Sequence, residues 1–252
     1  MRIIYSLNTD VKSDSDYYKG NNLENNFKFY ELSMKLSRQY YHVTLYTDEY
    51  GSERLGEFAD EVKYLKKDKD NYIWSEPKFE AISNETGDFL HVDGDLFISE
   101  PFNLPYADIY YDHTEVGLYE QYYKDNLKNF DDYRIGDVFP EWTKEYLGAF
   151  NIGIMGFRTE EIKNLYLDRY YKMKQWFYND IPQEIRDGSQ IPSMTLGEHS
   201  LSCISKSHNF ISQPLSECNG YLHMYGGRKH GSMFVKFVEN QLKHNNYKTY
   251  LD

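Results

Sequence analysis

The sequence is poor in cysteine. Of its 252 residues only Cys203 and Cys218 carry a thiol, and no Cys-x-x-Cys pair occurs. Two thiols do not make a disulfide framework, so reduced thiols of a cytoplasmic protein are the expectation. Long apolar runs are also missing. No window approaches the ~20 apolar residues of a membrane helix, so no membrane span is predicted. The opening run Met1–Leu7 is too short for a signal-peptide core and reads as a first strand. The expected location is the cytoplasm, with peripheral attachment to a membrane left open. Positive charge is scarce too: 28 Lys and Arg stand against 40 Asp and Glu, a net charge of −12. Such a chain repels phosphate backbones, which excludes nucleic acid as a general partner. A nucleotide ligand stays possible, because a metal ion and a local lysine can reverse the sign within one cleft.

What is present is an ordinary globular composition, 40% apolar and 27% charged, with enough chain for one large α/β domain or two small ones. Tyrosine is abundant, 26 residues. Its flat apolar ring with a polar tip suits stacking on sugars and nucleobases, and equally suits packing in place of phenylalanine. Residues 2–7 read as a buried strand. A helix follows from Asn22, its stripe Leu23, Phe27, Tyr30 and Met34 at spacings of four, three and four. The pattern then predicts a strand at His42–Thr47 ended by Asp48, a short helix at Arg54–Asp60 and a strand at Val62–Leu65. A helix at Glu76–Ser83 follows, with Ser75 as N-cap and Pro77 just inside. After Gly87 comes a buried strand at Asp88–Val92.

This alternation predicts βαβ units. The expected fold class is α/β, a single Rossmann-like domain with a mostly parallel central sheet flanked by helices. Ligand contacts would then gather at the carboxyl ends of the strands. Later strands are expected at Ala107–Tyr111 and Ala149–Phe157. A long helix capped by Thr159 should bury Ile162, Leu165, Tyr170, Met173 and Phe177, and further helices are expected at Glu198–Ser205 and Met233–Leu242. The predicted layout is a nucleotide-binding half, 1–105, and an acceptor-side half, 106–252. The polar stretch Gln121–Trp142 reads as a long loop or short helices.

Two segments carry chemistry. The first is Asp93-Gly94-Asp95, directly after the apolar Phe89–Val92. Alternate strand residues share a face, so the two carboxylates can converge, and Gly94 leaves space for a ligand at the backbone. Two hard oxygens suit Mg²⁺ or Mn²⁺ bridging substrate phosphates. Asp-x-Asp also occurs at Asp14/Asp16 and Asp68/Asp70, but in polar stretches that read as solvated loops. Only the third ends a buried strand, where carboxylates beside Phe89, Leu90, Leu96 and Phe97 need a compensating cation or donors. The second segment is His223-Met224-Tyr225-Gly226-Gly227-Arg228-Lys229. A third ligand from His223 would favour Mn²⁺ over Mg²⁺, the glycines form a turn whose amides can face phosphate, and Lys229 adds positive charge. Alone, this segment reads as well as a glycine turn with a solvated lysine.

Taken in order, these segments resemble the GT-A glycosyltransferases, in particular the retaining group that includes glycogenin and bacterial lipopolysaccharide galactosyltransferases. That group carries a strand-end Asp-x-Asp and a late His-x-x-Gly-x-x-Lys, although here His230-Gly231 stands where it usually has Pro-Trp. Phe150-Asn151-Ile152-Gly153-Ile154 resembles its Asn-x-Gly strand, Glu198-His199 its acidic-Gln pair, and Trp74 with Lys78 its helix over the donor. The resemblance implies a nucleotide diphosphate-sugar donor, UDP-sugar foremost, and Mn²⁺ or Mg²⁺ held by Asp93, Asp95 and His223. It implies donor contacts from Tyr5, Ser6, Asp48, Lys78, Gly94, Gly226 and Lys229. Catalytic roles fall to Glu198, Asn151 and Lys229, with the anomeric configuration retained. The acceptor, whether glycan, lipid-linked or protein, is not legible. Each residue also has a plainer role: Asp48 as a strand-end turn residue, Asn151 as a partner for backbone groups, Glu198 as a helix N-terminal acid, Lys78 as a solvated lysine. Two other functions fit the same residues. His91-Val92-Asp93 is a possible ligand pair of a metal-dependent hydrolase, and the scaffold would also serve a non-catalytic nucleotide-sugar binder.

Overall fold

A computed structural model of the chain describes residues 1–9, 21–66, 75–127, 133–182, 194–217, 219–224 and 231–244. The fold is mixed α/β with a mostly parallel sheet flanked by helices. The chain divides into two compact units, one made of 1–103 with 218–252, the other of 104–217. Among the described residues no helix is long and apolar enough to cross a membrane.

In the first unit the strands β1 (Arg2–Leu7), β2 (His42–Thr47), β3 (Glu61–Tyr64) and β4 (Phe89–Val92) lie in the order β3-β2-β1-β4, all parallel. β1 pairs Ile3 with Val43 on one side and with Leu90 on the other. A central parallel strand is covered on both faces, which is why Ile3, Ile4, Val43, Leu45 and Leu90 form near-continuous apolar runs instead of alternating ones. The connections are α1 (Asn21–Ser37), α2 (Glu49–Leu55) and α3 (Glu76–Asn84). α2 begins earlier than the expected 54–60, because the Asp48 carboxylate accepts from the Gly51 amide and caps it; a 3₁₀ turn, Gly56–Phe58, continues the path. α3 has Pro77 in its first turn as expected, but the Ser75 side chain makes no capping bond.

Past β4 the chain turns at once into β5 (Leu96–Ile98), which pairs antiparallel with β9 (Tyr221–His223) near the other end of the sequence. The pattern of apolar residues did not announce this two-stranded ribbon. It is held from one side by a cluster of Phe29, Leu32 and Leu36 of α1, Phe97, and Val238 of α7 (Ser232–His244). Burying side chains of this size stabilises by roughly 1.5–3 kcal/mol each. Leu222 and Met224 pack on that cluster. By strand alternation, His223 between them points to the opposite face.

In the second unit β6 (Ile109–Tyr111) lies between β7 (Ile154–Phe157), antiparallel to it, and β8 (Ser212–Pro214), parallel to it. The strand expected from residue 149 starts only at Ile154. Ahead of it, Phe150 makes an isolated bridge to Thr114 and stacks on Tyr111 at 3.9 Å. α5 (Glu160–Asp180) is capped by Thr159 and buries Ile162, Tyr166, Tyr170, Met173 and Phe177. A π-helical turn, Met194–His199, leads into α6 (Ser200–Ser207). The polar stretch after residue 117 holds α4 (Leu118–Leu127) and a 3₁₀ turn at Ile135–Asp137.

Candidate functional site

All four residues of β4 are buried, and the strand stops at Asp93. Asp93 and Asp95 do not share the face of a strand, as their spacing suggests. They occupy a tight turn in which the Leu96 amide donates to the Asp93 carbonyl at 3.1 Å. The turn swings the chain into β5, whose Leu96 faces His223 across the ribbon, and the Met224 amide donates to the Asp95 carbonyl at 3.0 Å. Two main-chain constraints therefore carry His223 to the acidic turn. One ligand atom from each of Asp93, Asp95 and His223 lies within 4.8 Å of the others. His223 Nε2 stands 3.6 Å from Asp95 Oδ1, both side chains being almost fully buried.

α3 brings a cation to the same place. Lys78 Nζ sits 2.9 Å from Asp93 Oδ1 and 3.1 Å from Oδ2. Lysine is seldom buried unless paired, and this one is 5% exposed, so it is not the solvated helix lysine of the plainer reading. Behind the turn, His91 is 1% exposed and bonds Ser6 Oγ through Nε2 at 2.8 Å. Among the described residues its Nδ1 has no hydrogen-bond partner; it lies 3.9 Å from Asp93 Oδ1. Burial, with Lys78 nearby, pushes the His91 pKa well below the usual imidazole range, so the ring is neutral. Burial also raises the Asp93 carboxyl; Lys78 pulls it back, and Asp95 pushes it up further.

The other expected donor contacts are placed as follows. The Tyr5 side chain is fully buried and bonds the Ser33 and Ser37 hydroxyls at 2.8 and 2.7 Å, so it belongs to the core, and its backbone lies within the β1–β2 pairing. Ser6 is committed through its hydroxyl to His91 and through its carbonyl to Tyr30. The Asp48 carboxylate accepts from the Thr9 amide, from Thr9 Oγ1 at 2.7 Å and from the Gly51 amide at 2.8 Å. Gly94 does not open its backbone to a ligand on the side where a Cβ would project. The Tyr30 ring lies there, and a Cβ would meet it at 2.2 Å. That role of Tyr30 has no sequence signal beyond its place in the apolar stripe of α1. Gly226 and Lys229 lie outside the described residues, as do Trp74, Gly227, Arg228 and the two other Asp-x-Asp pairs.

In the second unit Asn151 and Glu198 are neighbours. Asn151 donates to Glu115 Oε1 at 2.7 Å and accepts from the Gly153 amide at 2.8 Å, so its amide is satisfied within the unit. Glu198 is not at a helix start. It sits late in the π-helical turn, its carboxylate accepting from the Tyr123 hydroxyl and from the Ile152 amide. Burial, and then Glu198, pushes the Tyr123 phenol well above its ordinary range. His113 is held between Asp112 Oδ2 at 2.8 Å and Glu115 Oε1 at 3.7 Å. Burial alone would lower its pKa, but the two carboxylates outweigh it and lift the imidazole to about 9.

Fold and site together define an α/β protein with an Asp–Asp–His cluster at the carboxyl end of a parallel strand. Residues 1–180 match the family described as "Family of unknown function (DUF6734)", and the chain belongs to that family. The matched residues include Lys78, His91, Asp93 and Asp95, while His223 lies beyond them. Among curated proteins none matches the chain.

Proposed function

We propose that the chain is a glycosyltransferase that moves a sugar from a nucleotide diphosphate-sugar, UDP-sugar foremost, to a glycan, lipid-linked or protein acceptor in the cytoplasm, with retention of configuration. The observation that carries the reading is the meeting of Asp93, Asp95 and His223, far apart in sequence, with ligand atoms within 4.8 Å. Two carboxylates and an imidazole suit Mn²⁺, or Mg²⁺ second. The fit is supported by the Lys78 ammonium, which already stands as a cation against Asp93.

A divalent ion held by Asp93, Asp95 and His223 supplies charge neutralisation to a departing diphosphate. The chain's own residues do the rest. The turn and the β5–β9 pairing hold the main chain of the three donors at fixed spacing, which preorganises them. The ribbon face formed by Leu222 and Met224 packs on α1 and α7 and keeps water from that side of the site. Lys78 adds a buried positive charge beside Asp93. Roles for Lys229, Gly226, Asn151 and Glu198 rest on the family resemblance alone.

The test is UDP and UDP-sugar binding by calorimetry with Mn²⁺ and with EDTA, followed by turnover of common UDP-sugars. Wild type should bind UDP more tightly with Mn²⁺, and Asp95→Asn and His223→Ala should each weaken Mn²⁺ binding by tenfold or more. UDP binding indifferent to EDTA, or Mn²⁺ affinity unchanged in both variants, refutes the reading. Free sugar released without any transfer would move the assignment to hydrolysis.

A further inference from the structure

The Lys78–Asp93 pair bears on how a cation enters the site. We infer that Lys78 is the built-in counter-cation of the acidic turn, that a divalent ion must displace it, and that a phosphate-bearing ligand assists by drawing the ammonium off. The inference rests on the metal reading of Asp93, Asp95 and His223 given above.

Charge and space carry the argument. Lys78 is on α3, whose buried face also includes Pro77, Phe79, Ala81 and Ile82. Its side chain is 7% exposed, and its ammonium touches both oxygens of Asp93, at 2.9 and 3.1 Å. Those are oxygens a metal would use. Asp93 and Asp95 as carboxylates carry two negative charges and Lys78 one positive, so Lys78 already offsets one of the two acids, the one it touches. A divalent ion on the Asp93 oxygens would stand beside the ammonium that already touches both of them, and the two cations repel each other. Either the ammonium withdraws from Asp93 or an anion joins the site. A diphosphate does both: it offers oxygens to the ammonium and restores the charge balance. His91 cannot substitute for Lys78, because its Nε2 is committed to Ser6 and its Nδ1 stands 3.9 Å from Asp93 Oδ1, beyond hydrogen-bond distance. The consequence is a site that binds divalent ions weakly when alone, and tightly with a phosphate ligand. By linkage the same factor acts in both directions.

The experiment measures Mn²⁺ affinity by calorimetry in wild type, Lys78→Met, Lys78→Arg and Asp95→Asn, without ligand and with UDP at fixed free Mn²⁺, circular dichroism confirming the fold of each. Lys78→Met should bind Mn²⁺ alone about tenfold more tightly than wild type, within the ordinary range of site coupling. Lys78→Arg keeps a competing charge and should stay within about threefold of wild type, a smaller change than that range. UDP should tighten Mn²⁺ binding more in wild type than in Lys78→Met. If Lys78→Met does not fold, Lys78→Gln takes its place, with the same expectation. Should Lys78→Met or Lys78→Gln bind Mn²⁺ no more tightly than wild type while Asp95→Asn loses it, the displacement idea is wrong and the metal site stands. Should neither wild type nor the Lys78 variants bind Mn²⁺, the metal reading falls and the inference with it.

Discussion

Gly94→Ala is the sharpest probe of how the acidic turn is built. A Cβ at this position would stand 2.2 Å from Cδ2 and Cε2 of Tyr30 and 2.5 Å from Cγ. Carbon atoms rest at about 3.5 Å or more, so the ring must withdraw by roughly an ångström or the turn must move. The ring is not free to do so. Its hydroxyl donates to the Ser6 carbonyl at 2.7 Å, and its edge packs on Tyr5 with centroids 6.2 Å apart. Overpacking of this kind costs about 1–3 kcal/mol, and losing the hydroxyl bond adds about 1, so the expected loss is roughly 2–4 kcal/mol. For a chain of this size that corresponds to a Tm lower by roughly 4–16 °C. The assay is urea and thermal unfolding followed by circular dichroism, in wild type and in a Tyr30→Ala background. With the ring gone the same alanine should be neutral, or slightly stabilising because it restricts the unfolded chain. The coupling between the two sites should therefore exceed about 1.5 kcal/mol, within the range seen for residues in contact. A loss below about 0.5 kcal/mol in wild type, or an equal loss in both backgrounds, would refute the reasoning.

Three further outcomes are expected. Glu85 is 1% exposed at its side chain and accepts from Tyr46 at 2.6 Å, Lys63 at 2.6 Å and Arg2 at 2.7 Å. Glu85→Gln should cost roughly 2 kcal/mol by urea unfolding, since its two cations are a third exposed and can turn to water. Its carboxyl is held below the ordinary value, so this contribution is present at neutral pH and should fade as pH falls through that lowered value. Arg169 grips Glu141, whose side chain is 6% exposed, with Nε at 2.8 Å and Nη2 at 3.0 Å, and His208 adds a contact at 3.1 Å. Arg169→Ala should cost roughly 3 kcal/mol; because Glu141 is pulled down to about 2, the deficit should persist to about pH 4 and close below it. His113 has the opposite sign. Its pKa is raised to about 9, so its ion pairing with Asp112 and Glu115 contributes fully below the unfolded value near 6.5 and is lost as pH rises through 9. The stability gap between wild type and His113→Gln, at most roughly 3 kcal/mol, should be open at pH 6 and shrink by pH 10 in paired urea titrations; a gap independent of pH would rule out the charge.

The α/β class, the parallel strands β1 and β2, α1, α3, β4 and the Thr159-capped α5 were legible in the sequence. Each is a local run whose apolar period, cap or glycine stop needs no distant partner. The acidic pair was legible as a candidate site, because carboxylates directly after four buried strand residues are costly without compensation, but that it occupies a turn and not one strand face was not. Other features depended on residues remote in the chain. The ribbon of β5 and β9 is too short to show a period, and it exists because α1 and α7 cover one of its faces. Lys78 looks like any helix lysine until α3 sets it against Asp93. Gly94 reads as open space until Tyr30 fills it. The sequence alone determined which residues can form strands and helices and which types can bind a cation. Only the tertiary structure decided that His223 meets Asp95, since that depends on the Leu96–His223 register, which no local pattern encodes.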